Sequence, residues 1–199
     1  PADLGSVDPA VLEHFRAALA DLKALGAIIE ERPMPSPPEA YMALTGELMA
    51  AEAWHNLGRY VAPEDSVVHP DIRARVLRGR EVDAPRYQQL LEDRRAAQIA
   101  FARYLDGAVA FLTPTSPILP PPLTEIDETK TPLGTFTRFV NLMDAAALSV
   151  PMGLAGGGLP TGLQIVVPRF EEATALRIGR ALERKRGGLF QTPAGYETP

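Results

Sequence analysis

Cysteine is absent from the 199 residues, which excludes a disulfide framework, a thiolate nucleophile and a zinc–thiolate centre. Histidine is scarce. His14, His55 and His69 lie far apart, with no cluster of carboxylates beside them, so no metal site is expected. Lysine is equally rare: Lys23, Lys130 and Lys185 are the full set, and none precedes a Ser/Gly-rich stretch. The five serines, Ser6, Ser36, Ser66, Ser116 and Ser149, include no Gly-x-Ser-x-Gly elbow and none has a neighbouring base that the sequence nominates. A self-contained hydrolytic triad is therefore not expected, and no catalytic residue is assigned. No apolar run approaches the roughly 18 residues needed to span a bilayer, and no charged-then-apolar leader opens the chain. Its first residue is Pro1 rather than methionine, which points to a chain processed, trimmed or cut from something longer. A dominant charge is also missing. The net charge is −5 and the 20 basic residues are scattered, so neither nucleic acid nor an anionic membrane is expected as a partner. A chain without cysteine suits a reducing compartment, and the cytoplasm is the expected location.

What is present reads as a soluble globular protein: 46% hydrophobic and 23% charged residues fill one domain or most of a larger one. Residues 6–26 place Val11, Phe15, Ala18, Leu22 and Leu25 on one face, behind a capping Asp8 and a proline at the first helical position, which predicts an amphipathic helix. A short strand is expected at 27–31, stopped by Pro33, then helices at 39–60, 71–78 and 85–104 and a strand at 109–112. Residues 117–132 hold five of the 20 prolines and read as a loop with polyproline character. Helix is expected within 136–146, apolar strands at 147–152 and 162–167, and a closing helix at 170–184. The strand residues 147–150 and 163–167 read as buried on both faces. Helices alternating with buried strands predict an α/β layered sheet, but about four strands are fewer than a doubly covered sheet normally has.

The glycines at 156–158 lead into Leu159-Pro160 and an apolar strand rather than into Gly-Lys-Ser/Thr, so they read as a strand connection, not a phosphate cradle. Phe111 to Pro117, FLTPTSP, is an unusual order, although a strand end whose prolines stop pairing accounts for it as well. Asn141 and Asp144 interrupt an apolar run. They read either as a pair that caps a helix and ties loops or as substrate contacts. Arg138, one turn earlier, reads either as a cationic fork for a substrate carbonyl or carboxylate or as an ion-paired or solvated surface group.

Four blocks together resemble the C-terminal half of the amidase signature family. Residues 51–60, AEAWHNLGRY, are similar to its AEA-x-x-N-L-x-R-aromatic helix, and Arg73 to Gly79 with Tyr87 and Arg94 to its R-x-x-x-G, Y, R pattern. Residues 112–117, LTPTSP, match its PT-x-P block. Asn141-Leu142, SVPMG at 149–153 and GLPTGLQ at 158–164 match N-L, SVP-x-G and GLP-x-GLQ. The family's common NLTGLPA is replaced by NLMDAAA at 141–147, a variant similar to that of allophanate hydrolases and related bacterial amidases.

The resemblance implies an α/β amidase signature fold, with residues 1–199 forming the C-terminal half of a single amidase domain: the C-terminal portion of a mixed β-sheet covered by helices. It implies cleavage of a small carboxamide or ureide by a Ser, cis-Ser, Lys triad without metal or cofactor. The triad would belong to an upstream half that this chain does not contain, making that N-terminal half the expected partner and a small-molecule amide the substrate; homo-oligomerisation stays open. By matching positions, the substrate-pocket wall would be Thr131, Gly134, Phe136, Thr137, Arg138 and Asn141, with Arg75 approaching from the earlier helix. The alternatives are the glutaminase component of a tRNA-dependent amidotransferase, which the block at 51–60 also resembles, and a non-catalytic binding module that kept the fold.

Overall fold

The computed structural model describes residues 4–127 and 132–187. Helix α1 spans Pro9–Ala24; the Asp8 carboxylate accepts from the Ala10 N–H at 2.8 Å, and Val11, Phe15, Ala18 and Leu22 form its buried stripe. Gly26, at φ 94°, takes the chain out of the helix. The strand expected at 27–31 is not formed: these residues join no ladder among the described strands. Arg32 instead donates to the carbonyls of Tyr104 and Asp106, and the Tyr104 hydroxyl donates to the Arg32 carbonyl. The β-branched composition of the segment is thus satisfied by packing Ile29 on the core, while Ile28 faces solvent.

Three helices follow as expected, each begun by a proline in its first turn: α2 (Pro38–Val61), α3 (Pro70–Arg78) and α4 (Ala84–Tyr104). The turn at Gly79–Glu81 presses on α2 so closely that a Cβ on Gly79 would fall 1.8 Å from the Ala50 carbonyl oxygen. Close backbone approach to α2 therefore accounts for the glycine of the R-x-x-x-G pattern. Helix α4 is latched to α2 by a two-pronged pair from Arg86 to Glu47 at 2.7 and 2.6 Å, which holds the Glu47 carboxyl below its ordinary pKa.

The sheet has the order β1–β3–β2, all neighbours antiparallel: β1 is Phe111–Pro114, β2 Ala146–Ala155 and β3 Leu159–Val167. Gly157 and Gly158, at φ 78° and 79°, turn the β2–β3 hairpin, as the strand-connection reading required. Helices α1 and α6 (Glu172–Arg186) cover the face carrying Val150, Met152, Leu163, Ile165 and Val167. The opposite face, with Val166, is covered by α2, α4 and the short α5 (Arg138–Leu142), where Phe101, Phe111 and Phe139 meet edge to face at 5.7–6.0 Å. The α/β class holds. Burial on both faces holds for 163–167 but not for β2, where Ala147, Ser149 and Pro151 are exposed. Pairing explains the difference, because among the described residues β3 lies between two strands whereas β2 is an edge with part of one face uncovered.

Two further expectations change. The helix within 136–146 shrinks to five residues, because Asp144 takes a left-handed backbone (φ 55°) and redirects the chain into β2. Asn141 and Asp144 are both exposed, and Asp144 pairs with Arg169 at 2.7 Å. The closing helix starts at Glu172 because Phe170 is also left-handed (φ 67°), its ring lying under the Arg169 guanidinium. Gly79→Ala should lower the unfolding free energy by about 3 kcal/mol through backbone overpacking. Gly46→Ala, on the exposed face of α2 with nothing within 4 Å of the new Cβ, should raise it by about 1 kcal/mol. Denaturant titration of both variants checks the pair.

Candidate functional site

Pro114 ends β1, yet the ladder continues for one more residue: Thr115 N–H donates to the Gly162 carbonyl at 2.7 Å. Its side chain then crosses β3 to meet Ser149, with Thr115 Oγ1 and Ser149 Oγ 2.6 Å apart. The crossing passes directly over Gly162, where a Cβ would lie 2.8 Å from both oxygens, so glycine is required there. This hydroxyl pair forms the floor of a cleft of about 550 Å³. Ser116, Pro151 and Thr161 adjoin the floor; Ile118, Pro120, Pro121, Leu123, Ile126 and Leu133 build an apolar wall from the proline-rich loop. No charged side chain lines it among the described residues. A mostly apolar concavity with a few convergent hydroxyls has the make-up of a small-ligand site.

The cleft hydroxyls bond to one another, to the backbone and to a histidine. Ser149 is bonded to a threonine, the Ser116 oxygen accepts from the Ile118 N–H at 3.4 Å, and His14 Nδ1 is 2.8 Å from Thr161 Oγ1. Thr161 in turn donates to the Gly153 carbonyl at 3.2 Å. Neither cleft serine is therefore bonded to a base, and the described residues form no group of ligands for a metal ion.

The residues nominated from the sequence fall into three places. Gly134 and Thr137 lie on the turn that enters α5, and Arg138 and Asn141 on α5 itself; the Gly134 carbonyl accepts from the N–H groups of Thr137 (3.3 Å) and Arg138 (3.1 Å). The Arg138 side chain folds back over Gly134, its Nε 2.9 Å from where a Cβ would stand. Arg138 is half-buried and has no ion-pair partner among the described residues, Asp144 being taken by Arg169. Leu133, one residue before this turn, is in the cleft wall. Phe136 is 1% exposed in the core between the sheet and α1, and its carbonyl accepts from Gln164 Nε2. Arg75 is half-buried on α3, which packs on α2 rather than on α5. Thr131 lies outside the described residues.

Residues that the sequence reading left unassigned do much of the positioning. Gln164, 3% exposed, also donates to Thr113 Oγ1 at 3.0 Å, so one amide fastens the loop before α5 to the middle of the sheet. A lone amide in the run LQIVV was the available signal. Arg94 and Gln98 of α4 donate to the Leu142 carbonyl at 3.1 and 3.0 Å and close the end of α5, a structural role for the arginine of the Y, R pattern. Tyr41 stacks near Phe139 at 6.2 Å, and burial pushes its phenol pKa up. A larger groove of about 930 Å³ runs between α2 and the start of α4 past Glu52, His55 and Tyr87. The smaller cleft is the better candidate because the PT-x-P, SVP-x-G and GLP-x-GLQ segments and the loop before α5 converge on it.

Comparison with known proteins agrees with this architecture. Residues 2–176 match the family model Amidase. The chain is 31% identical over 208 residues to a glutamyl-tRNA(Gln) amidotransferase component from Haloarcula marismortui, covering 90% of this chain and 48% of that protein. It is 29% identical over 184 residues to 2-amino-5-chloromuconic acid deaminase of Comamonas testosteroni, covering 89% of this chain and 40% of the relative. A solved amidase superposes with a TM-score of 0.82 at 25% identity, covering 93% of this chain and 44% of that one. The chain thus spans less than half the length of these proteins. Among the described residues, no helix is long and apolar enough to cross a membrane. Gln164→Met keeps the volume but leaves the Phe136 carbonyl and the Thr113 hydroxyl without their donor. It should cost about 2 kcal/mol, read from thermal or denaturant unfolding; an unchanged stability would mean the amide does not hold the loop.

Proposed function

This chain belongs to the amidase family, and we propose that it is part of an amidohydrolase cleaving a small carboxamide or ureide C–N bond through a serine acyl-enzyme. In this reading it supplies sheet strands and one wall of the substrate pocket, and a second half of the domain carries the Ser, cis-Ser, Lys triad. The nucleophilic serine oxygen bonds to the carbonyl carbon, the C–N bond breaks, and the amine leaves with the proton relayed through the bridging serine. Water then cleaves the ester, releasing the acid and restoring the serine. The cytoplasm is the location that goes with this reading. The observation that carries it is the cleft beside Thr115 and Ser149, whose neutral hydroxyls and apolar loop wall suit a small uncharged acyl group. Gly134, Phe136, Thr137, Arg138 and Asn141, with Arg75 and Thr131, are the pocket-wall residues of this proposal.

Arg138 is its most exposed assumption. A half-buried guanidinium without an ion-pair partner among the described residues, held over Gly134, is poised to take a polar end of the substrate. In the assembled enzyme, Arg138→Ala should lower kcat/KM by about 10- to 100-fold with almost no change in Tm. Gly134→Ala, which displaces the same side chain, should act in the same direction. Unaltered kcat/KM in both variants would make Arg138 a surface charge and remove it from the site. A second reading, the glutaminase component of a tRNA-dependent amidotransferase, is favoured by the 31% identity to the Haloarcula marismortui amidotransferase protein. Ammonia release from free glutamine rather than from simple carboxamides would select it.

A further inference from the structure

His14 belongs to none of the matched motifs, yet it ties helix α1 to the cleft. It sits half-buried one turn after Val11, a cleft-lining residue of the same helix. Its ring lies against Gly153, where a Cβ would come within 2.9 Å of Nδ1 and Cε1, and Nδ1 is 2.8 Å from Thr161 Oγ1. The direction of that bond follows from counting protons. A threonine hydroxyl has one proton to give, and Thr161 gives it to the Gly153 carbonyl at 3.2 Å. The ring is therefore the donor: Nδ1 carries the proton and Nε2, in the neutral imidazole, carries none.

This relay ends at the irregular point of the β2–β3 hairpin. Pro151 is opposite Gly162 and Gly153 is opposite Thr161, so Met152 is an extra residue and β2 bulges there. A bulge interrupts the ladder, and side chains hold this one from outside it. Arg186 of α6, paired with Asp21 at 2.7 Å, donates to the Met152 carbonyl. Thr161, held by His14, donates to the next carbonyl, that of Gly153. The bulge aims residues at the cleft: Pro151 precedes it, Pro160 and Thr161 lie across the hairpin from it, and all three line the cavity. We propose that His14 is a positioning residue for the substrate. Its Nδ1–H fixes the Thr161 hydroxyl and the bulge, and so sets the wall of Pro151, Pro160 and Thr161 against which the acyl group packs. This role rests on the functional reading above, in which the cleft takes the acyl part of a small carboxamide. Because His14 acts through Thr161, its loss weakens binding rather than the chemical step.

The test uses the assembled enzyme, with isobutyramide as a small neutral carboxamide probe. NMR of isotope-labelled histidine, recorded with the imidazole neutral, should report the His14 ring protonated on Nδ1. His14→Leu, which fills the space without a donor, should raise the Kd of isobutyramide and the KM for its hydrolysis by about 5- to 10-fold, with kcat nearly unchanged. His14→Asn, whose amide nitrogen stands where Nδ1 stood, should return both to near their original values. A packing role requires the opposite order, with leucine tolerated and asparagine not, and that result overturns the proposal. Thr161→Val, which keeps the shape and removes the hydroxyl, should match His14→Leu, and the double variant should be no worse than either. It carries the test alone if His14→Leu does not fold. Unchanged Kd and KM in these variants, or a ring protonated on Nε2 alone, overturn the positioning role and leave the amidase reading standing. Binding in the expected order without any hydrolysis supports His14 and sinks the functional reading instead. Isobutyramide that shifts no resonance of Ser149 or Thr161 takes the acyl group out of this cleft and overturns the proposal.

Discussion

Every other part of the structure is arranged around β3. Its residues 163–167 are buried, because strands flank it on both sides and helices cover both faces. Each fully buried Leu, Ile or Val there contributes about 2 kcal/mol by leaving water. No polar group can be tolerated in that position without a partner, which makes Gln164 informative. Its amide is satisfied by Thr113 on β1 and by the Phe136 carbonyl, so the most secure strand of the fold also fixes the loop that enters α5. Rigidity at the cleft is inherited from the core: the same register that sets Gln164 opposite Thr113 and Ser149 sets Gly162 under the Thr115–Ser149 hydroxyl pair.

Local patterns were readable where local physics decides. The α1 stripe, the Asp8 cap, the proline-started helices and the glycine hairpin all depend on neighbouring residues, and they stand within a few residues of where the sequence puts them. What the sequence could not reveal depends on pairing. The apolar run at 147–150 looks the same whether it is central or at an edge, and only the strand order makes it an edge. Residues 27–31 have strand composition, yet no described strand pairs with them. The left-handed Asp144 and Phe170 shorten two expected helices at positions where a non-glycine residue gives no warning.

The cleft was legible only in part. The PT-x-P, SVP-x-G and GLP-x-GLQ blocks converge on it, whereas residues of the 51–60 block with Gly79 and Tyr87 line the larger groove; the interaction that shapes the cleft is a 2.6 Å contact between residues 34 apart in sequence. Some matched positions have structural duties instead: Gly79 permits helix contact, Arg94 closes α5, and Phe136 fills the core. Family motifs thus mix residues that hold the fold with residues that line the cleft, and the contacts separate them. Asp144 is engaged by Arg169, and among the described residues Arg138 has no ion-pair partner.

Under the proposed function, this chain shapes the pocket while the covalent chemistry belongs to another segment. This division is tested most directly by treating the assembled enzyme with an acylating serine reagent that abolishes its activity and locating the adduct by peptide mass. The account predicts the adduct on a serine outside these 199 residues, with Ser116 and Ser149 unmodified. Stoichiometric acylation of Ser116 or Ser149, tracking the loss of activity, would contradict it.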